Sequence, residues 1–353
     1  MKFIKAARHF AYYAVLIAAV TLTMLDSFVI ARELEPVGVV IGGNPEDNGD
    51  FTFTTVTGGS PTAPTETTTP PTAPTTGSPE SSSPTTTATE PATTAATPRV
   101  TTPSTSAKPP TNAVITADSY EDENISINIE TIRRHDTQAY IAEVKIVNLR
   151  YFKTALANNT FGRNISEPTT VIAKRNNAIL AINGDFYGFR RNGFVAREGV
   201  LYRSTSNDFE ALVMHTDGTF SFFHEKSPPA LENILNIWSF GPALVTDSQI
   251  SVTVDQEIIA SVLWSRNPRT AVGIIAPGHY IFFVSDGRTA ESEGLSLYNM
   301  AEILLEYGCI DAYNLDGGGS STMVFNGKIV NKPTPDGQVI RERRTSDILY
   351  IGY

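Results

Sequence analysis

The distribution of apolar and polar positions divides the chain into three parts. Residues 10–25 form an uncharged apolar run, and three basic residues precede it, Lys2, Lys5 and Arg8. A basic start followed by an apolar run is typical of an export signal, and the run is close to the roughly 17–25 residues that span a bilayer. We therefore predict that residues 1–31 are a signal anchor, with a cleaved signal peptide as the alternative.

The second part, residues 32–112, is rich in Thr, Pro and Ser, and segments such as residues 67–72 recur in it with small variations. Proline disfavours helices and central strands, and the polar side chains bury too little apolar surface to offset the lost chain entropy. This composition predicts a disordered linker that holds the folded part of the protein away from the membrane.

From residue 113 to residue 353 the pattern is that of a folded domain. Apolar side chains occupy alternate positions from Tyr140 to Ile146, which is the period of a strand with one buried face. Residues 178–182 are continuously apolar and predict a strand that is buried on both faces. A similar run at residues 348–351 predicts a last strand close to the end of the chain.

Turn residues between short apolar runs predict three hairpins. Their turns are Asp217-Gly218, Pro277-Gly278 and Asn326-Gly327, and Asn-Gly is the strongest short-range hairpin signal. The predicted arms are residues 211–215 and 219–223, 271–275 and 280–284, and 323–325 and 328–330.

Two helices are expected between these strands. The first has Pro168 in its first turn and runs to about Arg175, and the second begins at Ser296 and ends at Gly308. Because hairpins outnumber helices, the predicted fold class is α+β. We expect a single domain with a largely antiparallel mixed sheet and a few packed helices, preceded by the membrane segment and the linker.

Composition narrows the function. The formal net charge is −10, which disfavours a nucleic-acid partner because no dense basic segment is available to neutralise a phosphate backbone. The single cysteine, Cys309, excludes an intramolecular disulfide and a cysteine-rich metal site.

The most specific motif is a glycine-rich loop after a predicted strand at residues 310–315. Its members are Asp316, Gly317, Gly318, Gly319, Ser320 and Ser321. Glycines let the backbone approach a ligand and direct several N–H groups towards it, so the loop suits an anion or a sugar hydroxyl. It lacks the Lys-Ser/Thr pair of a phosphate-binding P-loop. A plain turn is the alternative, although plain turns rarely need this composition.

A second motif follows the buried strand at residues 178–182. Asn183, Gly184 and Asp185 stand where site residues are common, although an aspartate there can also cap a turn. The next two residues, Phe186 and Tyr187, are expected either to stack on the face of a sugar or to pack in the core.

Three arginines extend the set of candidates. Arg269 and Thr270 lead directly into a predicted strand, and arginine binds phosphate with two parallel hydrogen bonds. Asp286 and Arg288 flank a glycine and could equally form a tight turn with a surface ion pair. Arg343 precedes the last strand, where an arginine is most often structural.

Several chemistries are disfavoured by what the chain lacks. His224 and His279 have no neighbouring nucleophile motif, so a serine triad is weakly supported, and Ser320 is a weak nucleophile candidate. No zinc-ligand spacing is present. The sequence calls for no cofactor, and a divalent cation such as calcium bound by oxygens near Asp185 or Asp316 is left open.

Several segments together resemble the phosphodiester glycosidase family, which contains bacterial surface proteins related to exopolysaccharides. They are residues 181–187, 267–273, 286–288, 294–296 and 314–322, followed by Glu342-Arg343 and residues 347–349. The resemblance covers about residues 140–353, and the glycine-rich loop together with the Asn-Pro-Arg-Thr segment is its most specific part.

The resemblance implies hydrolysis of the bond between the anomeric carbon of a sugar and a phosphate diester. The products are a free sugar and a phosphomonoester. Because that leaving group is good, stabilisation of charge matters more than strong general-acid help. The aspartates are expected to activate water or stabilise the cationic sugar, and the arginines and loop amides to hold the phosphate.

The candidates therefore fall into two groups. The catalytic candidates are Asp316, Asp286, Asp185 and Arg269. The substrate-binding candidates are Asn183, Gly184, Thr270, Arg288, Gly317, Gly318, Gly319, Ser320, Ser321 and Arg343.

Two other functions stay open at this point. One is a non-catalytic glycan-binding module, and the other is a phosphodiesterase that cuts the other phosphoester bond. The expected partners are a sugar-phosphate or phosphoglycan substrate and the membrane. The expected location is outside the cytoplasm, at the cell surface or secreted, with the N-terminal segment as the membrane anchor.

Overall fold

The computed structural model describes residues 31–34, 39–40, 110–205, 210–224, 230, 232–252 and 265–353. The predicted signal sequence or anchor lies outside these residues except for its last position, and so does nearly all of the predicted linker. In the part of the chain that is described, no helix is both long and apolar enough to cross a bilayer.

Short strands dominate the described residues. In chain order they are β1 Arg32–Glu33, β2 Val39–Val40, β3 Val114–Ile115, β4 Ser119–Glu121, β5 Ile125–Arg134, β6 Thr137–Ile146, β7 Phe152–Leu156, β8 Gly162–Arg163, β9 Leu180–Asn183, β10 Gly193–Arg197, β11 Val200–Thr205, β12 Glu210–His215, β13 Phe220–His224, β14 Ile234–Trp238, β15 Ala243–Thr246, β16 Gln249–Ile250, β17 Arg269–Ala276, β18 His279–Ser285, β19 Asp311–Asn314, β20 Met323–Phe325, β21 Lys328–Ile329 and β22 Asp347–Ile351.

The strands form three larger sheets and one pair. The orders are β16-β15-β19-β17-β18-β6-β5-β4-β3 in the nine-stranded sheet, β13-β12-β14-β10-β11-β2 in the six-stranded sheet, β21-β20-β9-β22-β7 in the five-stranded sheet, and β1-β8 in the pair. Every pairing among the described residues is antiparallel. The predicted largely antiparallel sheet with few helices is therefore confirmed. The three predicted hairpins are β12–β13, β17–β18 and β20–β21.

Among the described residues, two α-helices pack on the sheets, at the predicted places. Helix α1, Thr169–Arg175, follows Pro168, and helix α2, Leu297–Glu306, is capped by the side chain of Ser296, which accepts the N–H of Asn299. Gly308 follows α2 with φ +84°, the left-handed conformation that commonly ends a helix.

The central strands β17 and β18 of the nine-stranded sheet are buried on both faces, which explains their apolar composition. Along β6, Tyr140, Ala142, Val144 and Ile146 face the largest core, which also receives residues from the other two large sheets. The opposite face of the nine-stranded sheet packs against apolar residues of α2.

Two short strands come from the segment that was predicted as linker. β1 pairs with β8, and β2 pairs with the edge strand β11 of the six-stranded sheet. A Cβ atom at Gly162 of β8 would lie 2.0 Å from the carbonyl oxygen of Arg32, so only glycine permits the approach of β1.

The ends of several strands meet at one place. β9 lies between β20 and β22, so that Asn183 at its end pairs with Ile348, next to Asp347. In the nine-stranded sheet, Asn314 at the end of β19 pairs with Ala271 near the start of β17. The glycine-rich loop leaves β19 and enters β20, and so crosses from the nine-stranded sheet to the five-stranded sheet.

Candidate active site

Asp316 and Arg343 form an ion pair at the start of the glycine-rich loop. Both carboxylate oxygens of Asp316 accept from Nη2 of Arg343 at 3.1 Å. The same guanidinium donates Nε to Oγ of Ser320 at 2.8 Å and Nη2 to the carbonyl of Gly317 at 3.0 Å. The Arg343 side chain is 42% exposed, whereas that of Asp316 is 8% exposed. Arg343 is therefore held by the catalytic candidate Asp316 and still keeps an accessible surface.

Burial sets the protonation of Asp316. It raises the pKa of this carboxyl, and the positive charge of Arg343 opposes the rise. A carboxyl with a raised pKa accepts a proton more readily than one in water.

The glycine-rich loop is tightly packed rather than open. Gly318 has φ +63°, and a Cβ atom there would lie 2.9 Å from Nη2 of Arg288. The N–H of Gly318 donates to the carbonyl of Pro268 at 2.8 Å, and the N–H of Ser321 donates to Gly318 at 3.1 Å. The N–H of Ser320 likewise turns back to Gly317. The expectation that this loop directs several N–H groups towards a ligand is thus wrong for these three, because close packing and the turn use them.

Asn183 fastens both ends of the loop. Its Nδ2 donates to the carbonyl of Asp316 at 2.6 Å, and its Oδ1 accepts from the N–H of Thr322 at 3.1 Å and from Oγ1 of Thr270 at 2.9 Å. Asn183 and Thr270 are fully buried. Both candidates therefore position Asp316 from beneath the site.

Gly184 is required by the close approach of β22. Its N–H donates to the carbonyl of Asp347 at 3.0 Å, and its own carbonyl accepts from the N–H of Asp316 at 3.2 Å. A Cβ atom at this position would lie 2.4 Å from Oδ1 of Asp347. Any larger residue would have to displace the buried carboxylate of Asp347.

Asp185 points into the protein. Its carboxylate accepts from Arg190, from the N–H of Phe186 and from the N–H of Ser239 at 3.1 Å. The side chain is fully buried, and the carboxylate oxygens are already engaged. This geometry suits a residue that positions Arg190 and the following aromatic segment. The predicted catalytic role of Asp185 stays a prediction.

Sequence reasoning missed the buried ion pair of Asp347 and Arg197. Their side chains are 0% and 2% exposed, and Nη2 of Arg197 lies 2.6 Å from Oδ2 of Asp347. Oδ1 of Asp347 accepts the N–H of Asp185 at 2.8 Å. The signal in the sequence was weak, because each charge is a single polar residue at the end of an apolar strand.

Asp286 lies behind the loop. Its carboxylate accepts from the hydroxyl of Tyr140 at 3.0 Å, from the N–H of Lys332 at 2.7 Å and from Nδ2 of Asn331 at 3.3 Å. The Asn331 amide also donates to the carbonyl of Ser321 at 2.9 Å. Burial raises the pKa of Asp286, and these donors oppose the rise.

The two arginines predicted to hold phosphate differ in exposure. Arg269 is buried, with Nε donating to the carbonyl of Leu295 and Nη2 to the carbonyl of Ser265, both at 2.8 Å. Burial and the charge of Arg288 lower the pKa of Arg269 to about 10. Arg288 is exposed. It donates to Oδ1 of Asn267 at 3.0 Å and 3.2 Å.

The backbone of Arg288 is strained. Its φ of +64° lies in the left-handed region, which costs a residue with a side chain about 1–2 kcal/mol. The guanidinium also donates to the carbonyl of Pro335. Such strain persists where the surroundings enforce it, and it concentrates at functional sites.

A cavity of about 590 Å³ opens beside Arg343. Its lining residues are Ser166, Phe186, Phe189, Pro335, Arg341, Glu342, Arg343 and Arg344. The rings of Phe186 and Phe189 are stacked with their centroids 4.8 Å apart. Of the two aromatics that the sequence left undecided, Phe186 lines the cavity, and Tyr187 is buried in the core.

Most of the lining was not predicted. Phe189, Arg341 and Arg344 were not candidates, although the basic run from residue 341 to residue 344 was visible in the sequence. Among the described residues, no group of three or more His, Cys, Asp and Glu side chains is placed to hold a metal ion. Oγ of Ser321 is buried and has no hydrogen-bond partner in the part of the chain described here.

Comparison with known proteins assigns the family. The family model described as phosphodiester glycosidase matches residues 176–352, which include the glycine-rich loop, Asn183 and Arg343. The chain belongs to the phosphodiester glycosidase family. The resemblance inferred from the motifs is thereby confirmed.

Two relatives illustrate the match. The SPbeta prophage-derived protein YomE of Bacillus subtilis is 33% identical over 210 residues, 55% of this chain and 31% of its own length. Human N-acetylglucosamine-1-phosphodiester alpha-N-acetylglucosaminidase is 46% identical over 66 residues, 19% of this chain and 13% of that enzyme. The alignments with both relatives cover less than two thirds of their length.

A solved structure shows the same fold. It is the catalytic domain of the zebrafish N-acetylglucosamine-1-phosphodiester alpha-N-acetylglucosaminidase, auto-inhibited by its pro-peptide. The TM-score is 0.53 at 22% identity, over 65% of this chain and 83% of the zebrafish chain. This member of the phosphodiester glycosidase family therefore shares its fold with the catalytic domain of the zebrafish enzyme.

Proposed function

We propose that this protein hydrolyses the glycosidic bond between the anomeric carbon of a sugar and a phosphodiester, releasing the free sugar and a phosphomonoester. The observation that carries the proposal is the Asp316–Arg343 pair beside the cavity, where a buried carboxylate meets a partly exposed guanidinium. Family membership supports the same reaction class.

The phosphate is held by arginine. Arg343 contacts the loop at Gly317, and Arg288 lies against Gly318, so the two guanidinium groups flank the glycine-rich loop. Arginine matches the geometry of phosphate oxygens and keeps its charge at any physiological pH. Negative charge that develops on the departing phosphate is stabilised there.

The sugar lies against the aromatic wall. Phe186 and Phe189 present apolar ring surface to the cavity, which suits the apolar face of a pyranose. Asp316 then faces the anomeric carbon, where positive charge develops as the bond breaks.

The reaction balances without a further reagent. The oxygen of water bonds to the anomeric carbon, and the bond from that carbon to the phosphate oxygen breaks. Its electron pair leaves with the phosphate, and the proton lost by water passes to the Asp316 carboxylate and then to solvent. A phosphomonoester needs little protonation to depart, so one carboxylate is enough for proton transfer.

Asp316→Asn in the full chain tests the assignment. We expect sugar release from a sugar-1-phosphate diester to fall by on the order of 10²–10⁴-fold, because the amide cannot accept the proton or balance the cationic sugar. Asp311→Asn is the matched control. Asp311 begins the strand that leads to the loop, and its carboxylate accepts the N–H of Asp247, which is not a site residue.

Product analysis separates the alternatives. Free sugar supports the glycosidase, whereas sugar phosphate identifies a phosphodiesterase that cuts the other bond. Retention of glycan with no turnover on any diester identifies a binding module. Equal activity of the Asp316 variant and the wild type contradicts the role given to Asp316.

We also propose that the protein acts outside the cytoplasm on cell-surface or exopolysaccharide-type glycans, tethered through its N-terminal segment. The apolar run at residues 10–25 with its basic start supports this location. Fractionation of cells that express the full chain tests it, since recovery in the cytoplasm contradicts export.

A further inference from the structure

Two arginines of the cavity, Arg341 and Arg344, have no role in the reaction proposed above. A phosphodiester has a single negative charge, yet three arginines, Arg341, Arg343 and Arg344, line the cavity within four consecutive residues. The whole chain has a formal net charge of −10, so this cluster runs against the overall balance.

The one acidic residue of the lining does not neutralise these arginines. The carboxylate of Glu342 accepts the N–H of Thr170 at 3.0 Å and its hydroxyl at 2.5 Å. Both donors belong to Thr170, in the first turn of α1. Glu342 therefore anchors the basic segment to α1, and its carboxylate is hydrogen-bonded to Thr170 rather than to the neighbouring arginines.

The three arginines differ in the hydrogen bonds and ion pairs that their side chains already make. Arg343 is bound to Asp316 and Ser320 at the reacting end. Arg344 donates Nε and Nη2 to the carbonyl of Ser166, a neutral acceptor in the cavity wall. Glu167, whose carboxyl feels the positive charge of Arg344, is already paired with Arg175 at 2.7 Å.

Arg341 is the least engaged of the three. Its backbone N–H donates to the carbonyl of Pro333 at 2.8 Å, which closes the loop before it. In the part of the chain described, its side chain makes no salt bridge within 4.0 Å. Its charge contributes to lowering the pKa of the exposed Asp336, whose carboxylate caps the N–H groups of Gln338 and Val339.

We propose that Arg341 and Arg344 form a subsite for a second phosphate group on the leaving-group side of the scissile bond. The inference rests on the proposed function, and it narrows the substrate class to molecules with at least two phosphates. A diphosphate leaving group and the next unit of a poly(sugar phosphate) both present that chemistry. Charged hydrogen bonds from two arginines favour either over a simple diester.

Three substrates test the subsite in the full chain. They are a methyl diester of a sugar-1-phosphate, a nucleotide diphosphate sugar, and a short oligomer of sugar-1-phosphates. For the wild type we expect kcat/KM to be at least tenfold higher on one of the two-phosphate substrates than on the methyl diester. Which of the two is preferred identifies the source of the second phosphate.

The double variant Arg341→Gln/Arg344→Gln gives the decisive comparison. It should lose about tenfold or more in kcat/KM on the preferred two-phosphate substrate and less than about threefold on the methyl diester. Lys145→Gln/Arg150→Gln is the control, because it removes the same charge from two residues that do not line the cavity. Lys145 lies near the end of β6, and Arg150 lies just before β7. Equal losses on all three substrates, or no wild-type preference, overturn the proposal.

Binding separates this inference from the proposed reaction. Calorimetric titration of Asp316→Asn with inorganic diphosphate and with inorganic phosphate should show tighter binding of diphosphate, and the double substitution added to this variant should remove the difference. If no substrate is cleaved but the difference is present, the proposed function fails and the subsite stands. If the two anions bind equally, the subsite is overturned whatever the activity.

Discussion

Two opposing influences act on Asp316. Burial raises its pKa, and the neighbouring Arg343 lowers it. In the reaction proposed here the carboxylate is the active form, so activity is lost as the pH falls through the pKa of Asp316. The acid limb of the activity profile should therefore lie above the ~3.9 of a free aspartate.

Removal of Arg343 should shift the acid limb of the pH–activity profile. Arg343→Ala takes away a charge that lowers the pKa of Asp316, so the acid limb of kcat/KM should move to higher pH, along with a loss on the order of 10²–10³-fold in rate. Arg343→Lys keeps the charge and should leave the limb nearer to its wild-type position. A pH profile of both variants measures this, and an unmoved limb in Arg343→Ala would show that another group sets it.

The buried pair Asp347–Arg197 makes a prediction about stability. Asp347→Asn leaves Arg197 buried without its counter-charge, which typically costs about 3–5 kcal/mol in the free energy of unfolding. Urea denaturation measures the loss.

An exposed pair supplies the comparison. Arg134 and Glu306 are 2.9 Å apart with side chains 55% and 54% exposed, so Arg134→Gln should cost at most about 1 kcal/mol. Similar losses in the two variants would contradict the structural importance of the buried pair.

At the level of single residues, the sequence located the glycine-rich loop, Asn183 and Arg343. The loop stood out because its composition is unusual for a turn, whereas Arg343 was a candidate only through the resemblance, at a place where an arginine is most often structural. It did not find Arg197 or the cavity role of Phe189, because both depend on which strands lie side by side. A residue's partners across a sheet are set by packing far along the chain, and no local pattern records them.

Among the elements, the glycine-rich loop offers a clean test of close packing. Gly318→Ala introduces a Cβ atom 2.9 Å from Nη2 of Arg288 at φ +63°. We expect activity to fall by on the order of tenfold to a hundredfold, because a displacement of about 1 Å in a binding group has that effect. The free energy of unfolding should fall by about 1–2 kcal/mol from backbone strain.

Gly327→Ala separates strain from contact. Gly327 has φ +73°, and a Cβ atom there would meet nothing within 4 Å. Its stability loss should resemble that of Gly318→Ala, while its kcat/KM should stay near that of the wild type. If both variants lose the same activity, the contact with Arg288 is unimportant.

Elements could be predicted from the sequence where their turns or first residues are unambiguous. The three hairpins were found because their two-residue turns are explicit, and the helices because Pro168 and Ser296 mark their starts. Strand β5 was overlooked although Ile125, Ile127 and Ile129 alternate with polar residues and are buried in the core. The order of the sheets was out of reach, because antiparallel partners such as β6 and β18 are far apart in the chain.

At the scale of the whole molecule, two sheets meet to create the site. The nine-stranded sheet contributes Asp316 and Arg288 at the ends of β19 and β18, and the five-stranded sheet contributes Asn183 and the segment before β22. No single sheet contains the reacting group and its supports. Variants that weaken the contact between these sheets should therefore lose activity before they lose the fold.

The pairing of β1 and β2 changes what the Thr/Pro-rich segment means for the protein. Because β2 and β3 belong to the same compact unit, that unit contains residues on both sides of the Thr/Pro-rich segment. A membrane anchor before β1 would hold the domain close to the lipid surface. Cleavage of the chain between β2 and β3 would not by itself release the domain from the residues before β1, because β1 and β2 must also separate from β8 and β11.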